Sequence, residues 1–291
     1  MDDDMPEFDA DGNVVERPVS AGTAMSQKDK NGADSMFKRL FKDYPLKDAK
    51  RMSREERARR GLPHSSLAYG EVTFDTMWDV ISKLKEKGLM PEFGNFYDLG
   101  SGTGTSTFAA ALSHSFHKCV GIEMLEDLTD AANDVLGIWQ GRLKDKLQEL
   151  FDGMRESRSP SSIRFVREDI MLTNTTGHQN WVDATFVFAN CAAFSSKLMT
   201  KLTETSWHIA TRRDDLGCVF VCVSQPLNPT TLVGEGDAQE EVKTEDLWES
   251  VQITDYWDDK WPMSWGEATV HVYVRRGREG GQGVDDESND Q

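Results

Sequence analysis

Seven residues, Asp98-Leu99-Gly100-Ser101-Gly102-Thr103-Gly104, constrain this chain more than any others. The apolar stretch Phe96 to Leu99 reads as a strand that empties into three alternating glycines, and small helix-compatible residues follow from Thr105. Glycines let a backbone turn sharply and approach a ligand where any Cβ would collide. Nineteen residues after Gly104, a second short apolar strand, Cys119-Val120-Gly121-Ile122, ends on Glu123. A carboxylate at the tip of the second strand of a βαβ unit is placed to accept both hydroxyls of a ribose. These residues point to a nucleoside-binding crevice at the centre of the protein.

The spacing narrows the choice of nucleoside. Dinucleotide sites use G-x-G-x-x-G, with a pyrophosphate at the helix N-terminus. Here the pattern is D-x-G-x-G-x-G. An acid beside the ligand repels phosphate and suits a cationic amine or a sulfonium. The combination resembles the first motif of class I methyltransferases, which bind S-adenosylmethionine. A dinucleotide oxidoreductase is the weaker alternative, and a glycine turn with no ligand leaves Asp98 and Glu123 unexplained.

The rest of the chain alternates strands with helices. Apolar groups at helical spacing (Met77, Val80, Ile81, Leu84) predict a helix over residues 76–87, closed by Gly88. Helices are also expected at 105–115, at 126–154 as one bent helix or two, and at 195–205. Strands are expected at 163–166, at 184–189 ending on Asn190, and at 217–223. This rhythm predicts an α/β fold with a doubly wound, mostly parallel sheet and helices on both faces. Residues 247–253 and 268–274 read as antiparallel C-terminal strands. Before the glycines, a short helix over 36–44 and a basic helix starting with the capping-box pair Ser53 and Glu56, and ending at Gly61, form a small helical N-terminal part. The expected organisation is a disordered acidic tail over 1–35, a basic helical segment over 36–66, a catalytic domain over 67–276 and a disordered tail over 277–291.

Charge limits the partners. The net charge of −17 argues against bulk binding to naked nucleic acid. It is segregated, however: residues 37–66 carry ten bases against four acids, and residues 234–259 carry ten acids and one lysine. The basic stretch from Lys38 to Arg60 is a candidate contact with DNA or with an acidic protein surface. The acidic stretch is a candidate for a basic tail. Cys119, Cys191, Cys218 and Cys222 sit in apolar strand contexts without metal-ligand spacing and read as buried, reduced thiols. No metal site is expected, and no apolar run approaches the length of a membrane span.

A closer resemblance rests on several motifs together. Tyr69-Gly70-Glu71 precedes the Asp98 motif by about thirty residues; Val120-Gly121-Ile122-Glu123, Phe186-Val187-Phe188-Ala189-Asn190 and Ser264-Trp265 follow it. In this order they resemble the disruptor-of-telomeric-silencing family, the non-SET histone lysine methyltransferases, over about residues 66–274. The resemblance implies a Rossmann-like class I methyltransferase with a seven-stranded sheet. It implies a nuclear enzyme that transfers methyl from S-adenosylmethionine to a lysine on the globular face of histone H3 in nucleosomes, leaving S-adenosylhomocysteine. It assigns Tyr69, Gly70, Glu71, Val72, Asp98, Leu99, Gly100, Ser101, Gly102, Thr103, Gly104, Thr105, Glu123 and Asn190 to the cofactor. Asp169 and Ile170, after the third strand, are expected on the adenine. Phe188, Asn190, Trp265 and Tyr273 are the expected catalytic group, lining the lysine channel. Three departures bear on the channel and on how many methyls are added: Val72 replaces a small hydroxyl residue, Thr105 a glutamine, and Val272 an aromatic, with Tyr273 as its substitute. Two other readings stay open: a class I methyltransferase acting on a non-histone protein or small molecule, and a non-catalytic cofactor- or chromatin-binding module.

Overall fold

The computed structural model describes residues 26–62, 69–91, 94–143, 162–172, 181–212, 217–234, 239–254 and 259–275. The expected tail over 277–291 and most of the expected tail over 1–35 lie outside these residues. The sheet is built on β1 (Asn95–Leu99), which pairs in parallel with β2 (Lys118–Glu123) on one side and with β4 (Phe186–Asn190) on the other. β3 (Ser162–Arg167) extends the first side and β5 (Val219–Val223) the second, again in parallel. β10 (Gly266–Arg275) and β8 (Trp248–Val251) then add antiparallel strands, giving the order β3-β2-β1-β4-β5-β10-β8. β9 (Lys260–Met263) pairs with the start of β10, and β6 (Thr230–Val233) with β7 (Glu240–Lys243) forms a separate hairpin. This is the expected mostly parallel α/β sheet with its antiparallel C-terminal edge. The strand order reverses between β2 and β4 across β1, which opens a crevice at the carboxyl ends of these strands.

Side-chain alternation assigns each strand residue to one face. Phe96, Phe186, Phe188 and Val221 join a core with α1 (Gln27–Leu40), α3 (Phe74–Glu86) and α4 (Thr105–Ser113). Tyr97, Leu99, Val187 and Phe220 face the other way, against Met199, Leu202 and Ile209 of α6 (Ser196–Ala210). With both faces covered, Phe96 to Leu99 are all buried, as a central parallel strand requires. α3 buries the expected stripe of Met77, Val80, Ile81 and Leu84; it starts two residues early, because Thr73 caps it by accepting from the Thr76 amide. After β2, α5 (Glu126–Ile138) continues as a π-helical turn over Trp139–Leu143. The remainder of the helix expected up to 154 lies outside the described residues.

Two N-terminal expectations need correction. Residues 27–35 belong to α1 rather than to a loose tail: Ser26 and Asp29 form a capping box, and Ala33 is buried with Met36 and Leu40 on the core. The second helix, α2 (Leu46–Arg60), starts after Pro45, so Ser53 and Glu56 lie inside it instead of capping it. The same i, i+3 spacing puts both on one buried face. Glu56 caps a different helix. Its carboxylate accepts from the amides of Glu126 and Asp127 at the start of α5, at 2.9 and 2.8 Å, and from Arg60 at 2.9 Å. Arg59 pairs with Asp127, and Arg60 also donates to the carbonyl of Met124. α2 is thereby latched to the chain that follows β2.

Burial pushes the Glu56 carboxyl up, but the two α5 amides and the Arg60 guanidinium hold it below the usual range. Glu56→Gln removes the charge, and Glu56→Ala removes the acceptor. Each is expected to lower the unfolding free energy by about 1–3 kcal/mol in urea titrations near neutral pH. The folded pKa lies below the unfolded value of about 4.3, so this stabilisation is present above that value and is lost as pH falls through the folded pKa. The gap between wild type and Glu56→Gln should therefore narrow in acid. A gap of constant size down to about pH 3 would assign the loss to packing.

Candidate functional site

Between β1 and α4 the glycine loop is held from below and from both sides. The amides of Gly100 and Ser101 both donate to the carbonyl of Ile122, at 2.8 and 3.0 Å, which ties the loop to the end of β2. Gly102 and Gly104 have φ of 55° and 86°, in the left-handed region that favours glycine. Space enforces the choice as well. A Cβ on Gly102 would lie 2.5 Å from the Tyr69 ring, and one on Gly104 would lie 2.5 Å from the Phe165 ring. The loop is thus a thin backbone layer between two aromatic rings.

Two buried acids sit at this loop and do different things. Glu123 accepts from the amide of Gly102 through Oε2 and from that of Leu125 through Oε1, both at 2.9 Å. Burial raises its pKa, opposed by those amides. Each oxygen keeps a lone pair, and the side chain faces the cavity. Asp98 lies beneath the loop, 1% exposed, with Thr107 donating to its Oδ2 at 2.7 Å. Burial pushes its carboxyl up to about 7, against the Thr107 hydrogen bond and with the Glu123 charge adding to the rise.

The segment from Tyr69 to Val72 crosses the crevice and is fastened to three separate elements. The Tyr69 hydroxyl donates to Glu71 at 2.7 Å and lies 3.0 Å from the Thr103 hydroxyl, on the glycine loop. The Asn190 side-chain amide, at the tip of β4, donates to the carbonyl of Gly70 at 3.0 Å. The Glu71 amide donates to the Ser264 hydroxyl and the Ser264 amide to the Glu71 carbonyl, while Val72 bridges to Met263. The Trp265 indole lies so close over Gly70 that a Cβ there would be 2.5 Å from it. Burial raises the pKa of Glu71, with the Tyr69 hydroxyl and Lys50 opposing, and raises that of Tyr69 well above its usual value.

These elements enclose a cavity of about 360 Å³ at the carboxyl ends of β1, β2, β3 and β4. Of the residues singled out from the sequence, Tyr69, Gly70, Glu71, Gly100, Ser101, Gly102, Thr105, Glu123, Asp169, Ile170, Asn190 and Trp265 line it. Asp98, Leu99, Thr103 and Gly104 stand behind this wall and support it, and Val72 is buried in the core next to it. Phe188 and Tyr273 are not on the wall. Phe188 points into the α1–α3–α4 core, because strand parity puts it on the same face as Phe186 and away from the cavity. Tyr273 pairs with Phe220 in the opposite core, and its hydroxyl accepts from the Leu227 amide at 3.1 Å. Both stand in the packed cores on either side of the sheet rather than on the cavity wall.

The cavity also uses residues that the sequence did not single out. Ser53 reaches it from α2, Leu125 from the residue before α5, Leu128 from the start of α5, and Leu198 from α6. Leu125 and Leu128 carry a readable signal, since an apolar helix following Glu123 must cover the crevice. Ser53 carries none, because only the latch through Glu56 brings α2 there. Asp169 Oδ1 accepts from the amide of Met171 at 2.9 Å, which orients the carboxylate at the rim.

Asp98 supplies a test by pH. Its folded pKa exceeds the unfolded value of about 3.9, so ionising it costs stability as pH rises from about 4 to about 7, with the full cost reached above that. Asp98→Asn keeps an acceptor for Thr107 and removes the cost. The variant is expected to have a higher Tm than wild type near pH 8 and no advantage near pH 4. A lower Tm at both would show an ionised Asp98 that the fold stabilises.

A profile of the histone methylation protein DOT1 matches residues 54–275. No individually curated protein matches the chain. Among solved structures, the chain is similar to the YcgJ protein of Bacillus subtilis, at 13% identity over 54% of this chain and 54% of that one, with a TM-score of 0.34. It is similar to a methyltransferase of Geobacter sulfurreducens in complex with S-adenosyl-L-homocysteine, at 16% identity over 53% and 49%, with a TM-score of 0.33. It is also similar to an S-adenosylmethionine-dependent methyltransferase of Clostridium acetobutylicum, at 10% identity over 70% and 92%, with a TM-score of 0.38. The chain spans about half the length of the first two proteins. The profile covers most of the sequence, so this chain belongs to the DOT1 family of histone methylation proteins, whose methyl donor is S-adenosylmethionine.

Proposed function

We propose that this protein methylates a lysine side chain on the globular face of histone H3 in nucleosomes, and acts in the nucleus on chromatin. The observation that carries this reading is one cavity whose wall combines two chemically different sets of residues. One set is the glycine loop, the anchored Glu123 carboxylate and Asp169 with Ile170; the other is Asn190, Phe194 and Trp265. Glu123 suits the hydroxyls of a ribose, and Asp169 suits the exocyclic amine of adenine, with Ile170 against a ring face. Tyr69, Gly70 and Glu71 line the same cavity.

S-adenosylmethionine supplies a methyl group activated by its sulfonium. What the chain supplies is position and a dry surface for the acceptor. A lysine amine has a pKa of about 10.4 and is mostly protonated in water. The rings of Phe194 and Trp265 replace water around it and favour the neutral, nucleophilic form without a dedicated base. Asn190 is fixed at the β4 tip, donating to the Gly70 carbonyl and accepting from the Ala192 amide, and this held side chain on the cavity wall orients the amine. Mass spectrometry of nucleosomes incubated with enzyme and labelled cofactor tests the assignment. Methyl on a lysine of histone H3 is expected, and transfer to another protein or small molecule in a cell extract, with nucleosomes untouched, would overturn it. In the same assay Trp265→Ala is expected to lower turnover by about ten- to a hundredfold with cofactor affinity retained. Full turnover would remove Trp265 from the acceptor channel.

The basic helix contributes to this reading through its outer face only. Arg57 is buried and donates to the carbonyl of Ser53, and Arg59 and Arg60 are engaged with Asp127 and Glu56. Lys47, Lys50 and Arg54 remain exposed on one side of α2, at helical spacing, and are the proposed contact with nucleosomal DNA. Replacing these three by alanine should weaken nucleosome binding and flatten its salt dependence, by roughly 0.9 in slope for each phosphate that is no longer neutralised. An unchanged slope would refute the contact.

A further inference from the structure

Ser224, just past the end of β5, has a φ of 74° and is the only non-glycine residue with a left-handed φ among the described residues. Such a conformation costs an L residue about 1–2 kcal/mol and persists where the surroundings fix it. Here they do. The Ser224 amide donates to the carbonyl of Thr269 on β10 at 2.8 Å, and three residues on, the Leu227 amide donates to the Tyr273 hydroxyl. Pro226 adds its own restriction on the backbone of Gln225.

The result of this strained bend is the placement of one side chain. β4 and β5 run in parallel with Asn190 opposite Val223, so the turn after β4 and the bend after β5 leave the sheet side by side. Gln225 reaches across, and its side-chain nitrogen donates to the carbonyls of Cys191 and Phe194, at 2.5 and 3.1 Å. Within the turn, the Phe194 amide donates to the Cys191 carbonyl at 3.0 Å and the Ala192 amide to Asn190 Oδ1 at 3.4 Å, and the buried Cys191 thiol donates to the Ala189 carbonyl at 3.5 Å. This turn carries Asn190, Ala192, Ala193 and Phe194 into the cavity, with the Phe194 ring against Gly100.

We propose that Gln225 is a positioning residue for methyl transfer: it braces the Asn190–Phe194 turn and so sets where the acceptor amine stands relative to the glycine loop. The proposal rests on the methyl-transfer reading above and adds a residue outside the cavity wall to it. Gln225 acts through two carbonyl groups and touches neither ligand. A misplacement of about 1 Å in a site that works by orientation is worth up to about a hundredfold in rate.

The test uses Gln225→Glu and Gln225→Met, which keep the length of the side chain without the donors, and Gln225→Lys, which keeps a donor within reach. With nucleosomes as acceptor, kcat is expected to fall about ten- to a hundredfold in the first two. The Kd for S-adenosylhomocysteine, read by calorimetry, should stay within about twofold, and Gln225→Lys should recover most of the rate. Unchanged kcat in both donor-free variants overturns the proposal. So does a loss of kcat that tracks an equal loss of cofactor affinity and Tm and is not recovered by lysine. Amide hydrogen exchange over residues 191–194 gives a readout that does not need turnover: it should quicken in Gln225→Met and return toward wild type in Gln225→Lys. If wild-type enzyme leaves nucleosomes unmodified, the functional reading fails, and unchanged exchange in Gln225→Met is then what sinks the brace as well.

Discussion

The carboxylate of Glu123, clasped by the amides of Gly102 and Leu125, is the interaction on which the rest of the structure depends. An acid buried this deeply is tolerated only where donors replace its lost water. The two donors come from opposite sides of the crevice, one from the loop before α4 and one from the residue before α5. The acid therefore fixes the distance between the two helix starts that frame the cavity. The left-handed glycines follow from the same demand, since the loop must bend tightly enough to aim the Gly102 amide at Glu123 while leaving room for Tyr69 above and Phe165 below.

The N-terminus of α5 extends this logic. Its first amides are satisfied by carboxylates from elsewhere in the chain: Leu125 by Glu123, and Glu126 with Asp127 by Glu56 of α2. A helix start carries partial positive charge and unpaired donors, so two acids there are mutually compatible where they would otherwise repel. One consequence is mechanical. The helix that shows its basic side to solvent is the same helix whose buried side places Ser53 on the cavity wall. Glu56 joins that helix to the residues that follow Glu123.

How far all this could be read from the sequence depends on the range of the interactions involved. The glycine loop, Glu123 and the alternation of strands and helices are local signals with a fixed period, and the sheet has the expected parallel body and antiparallel edge. Ser53 and Glu56 show the limit. Their spacing is that of a capping box, but the pattern is the same whether the glutamate caps its own helix or another, and only tertiary contact decides. Phe188 and Tyr273 show a second limit. A motif places a residue in the chain, while strand parity decides which core it enters, and a shift of one position on β10 exchanges Val272 for Tyr273 between the two faces. Gln225 had no signal at all, and Ser53 none as a residue of the site, because each acts through a neighbour that only the fold supplies.

The two sets of residues around the cavity are held by different physics. Around the glycine loop the fixing interactions are ionic and buried: Glu123 on backbone amides, Asp98 under Thr107, Glu71 against Tyr69. Burial shifts the pKa of each of these acids upward, so this set changes its charge with pH. Around Asn190 the fixing groups are neutral amides and carbonyls, Asn190 on Gly70 and Gln225 on Cys191 and Phe194. Neutral hydrogen bonds hold their geometry across the pH range in which carboxylates titrate. The Asn190–Phe194 turn therefore keeps its shape while the buried acids beside it titrate.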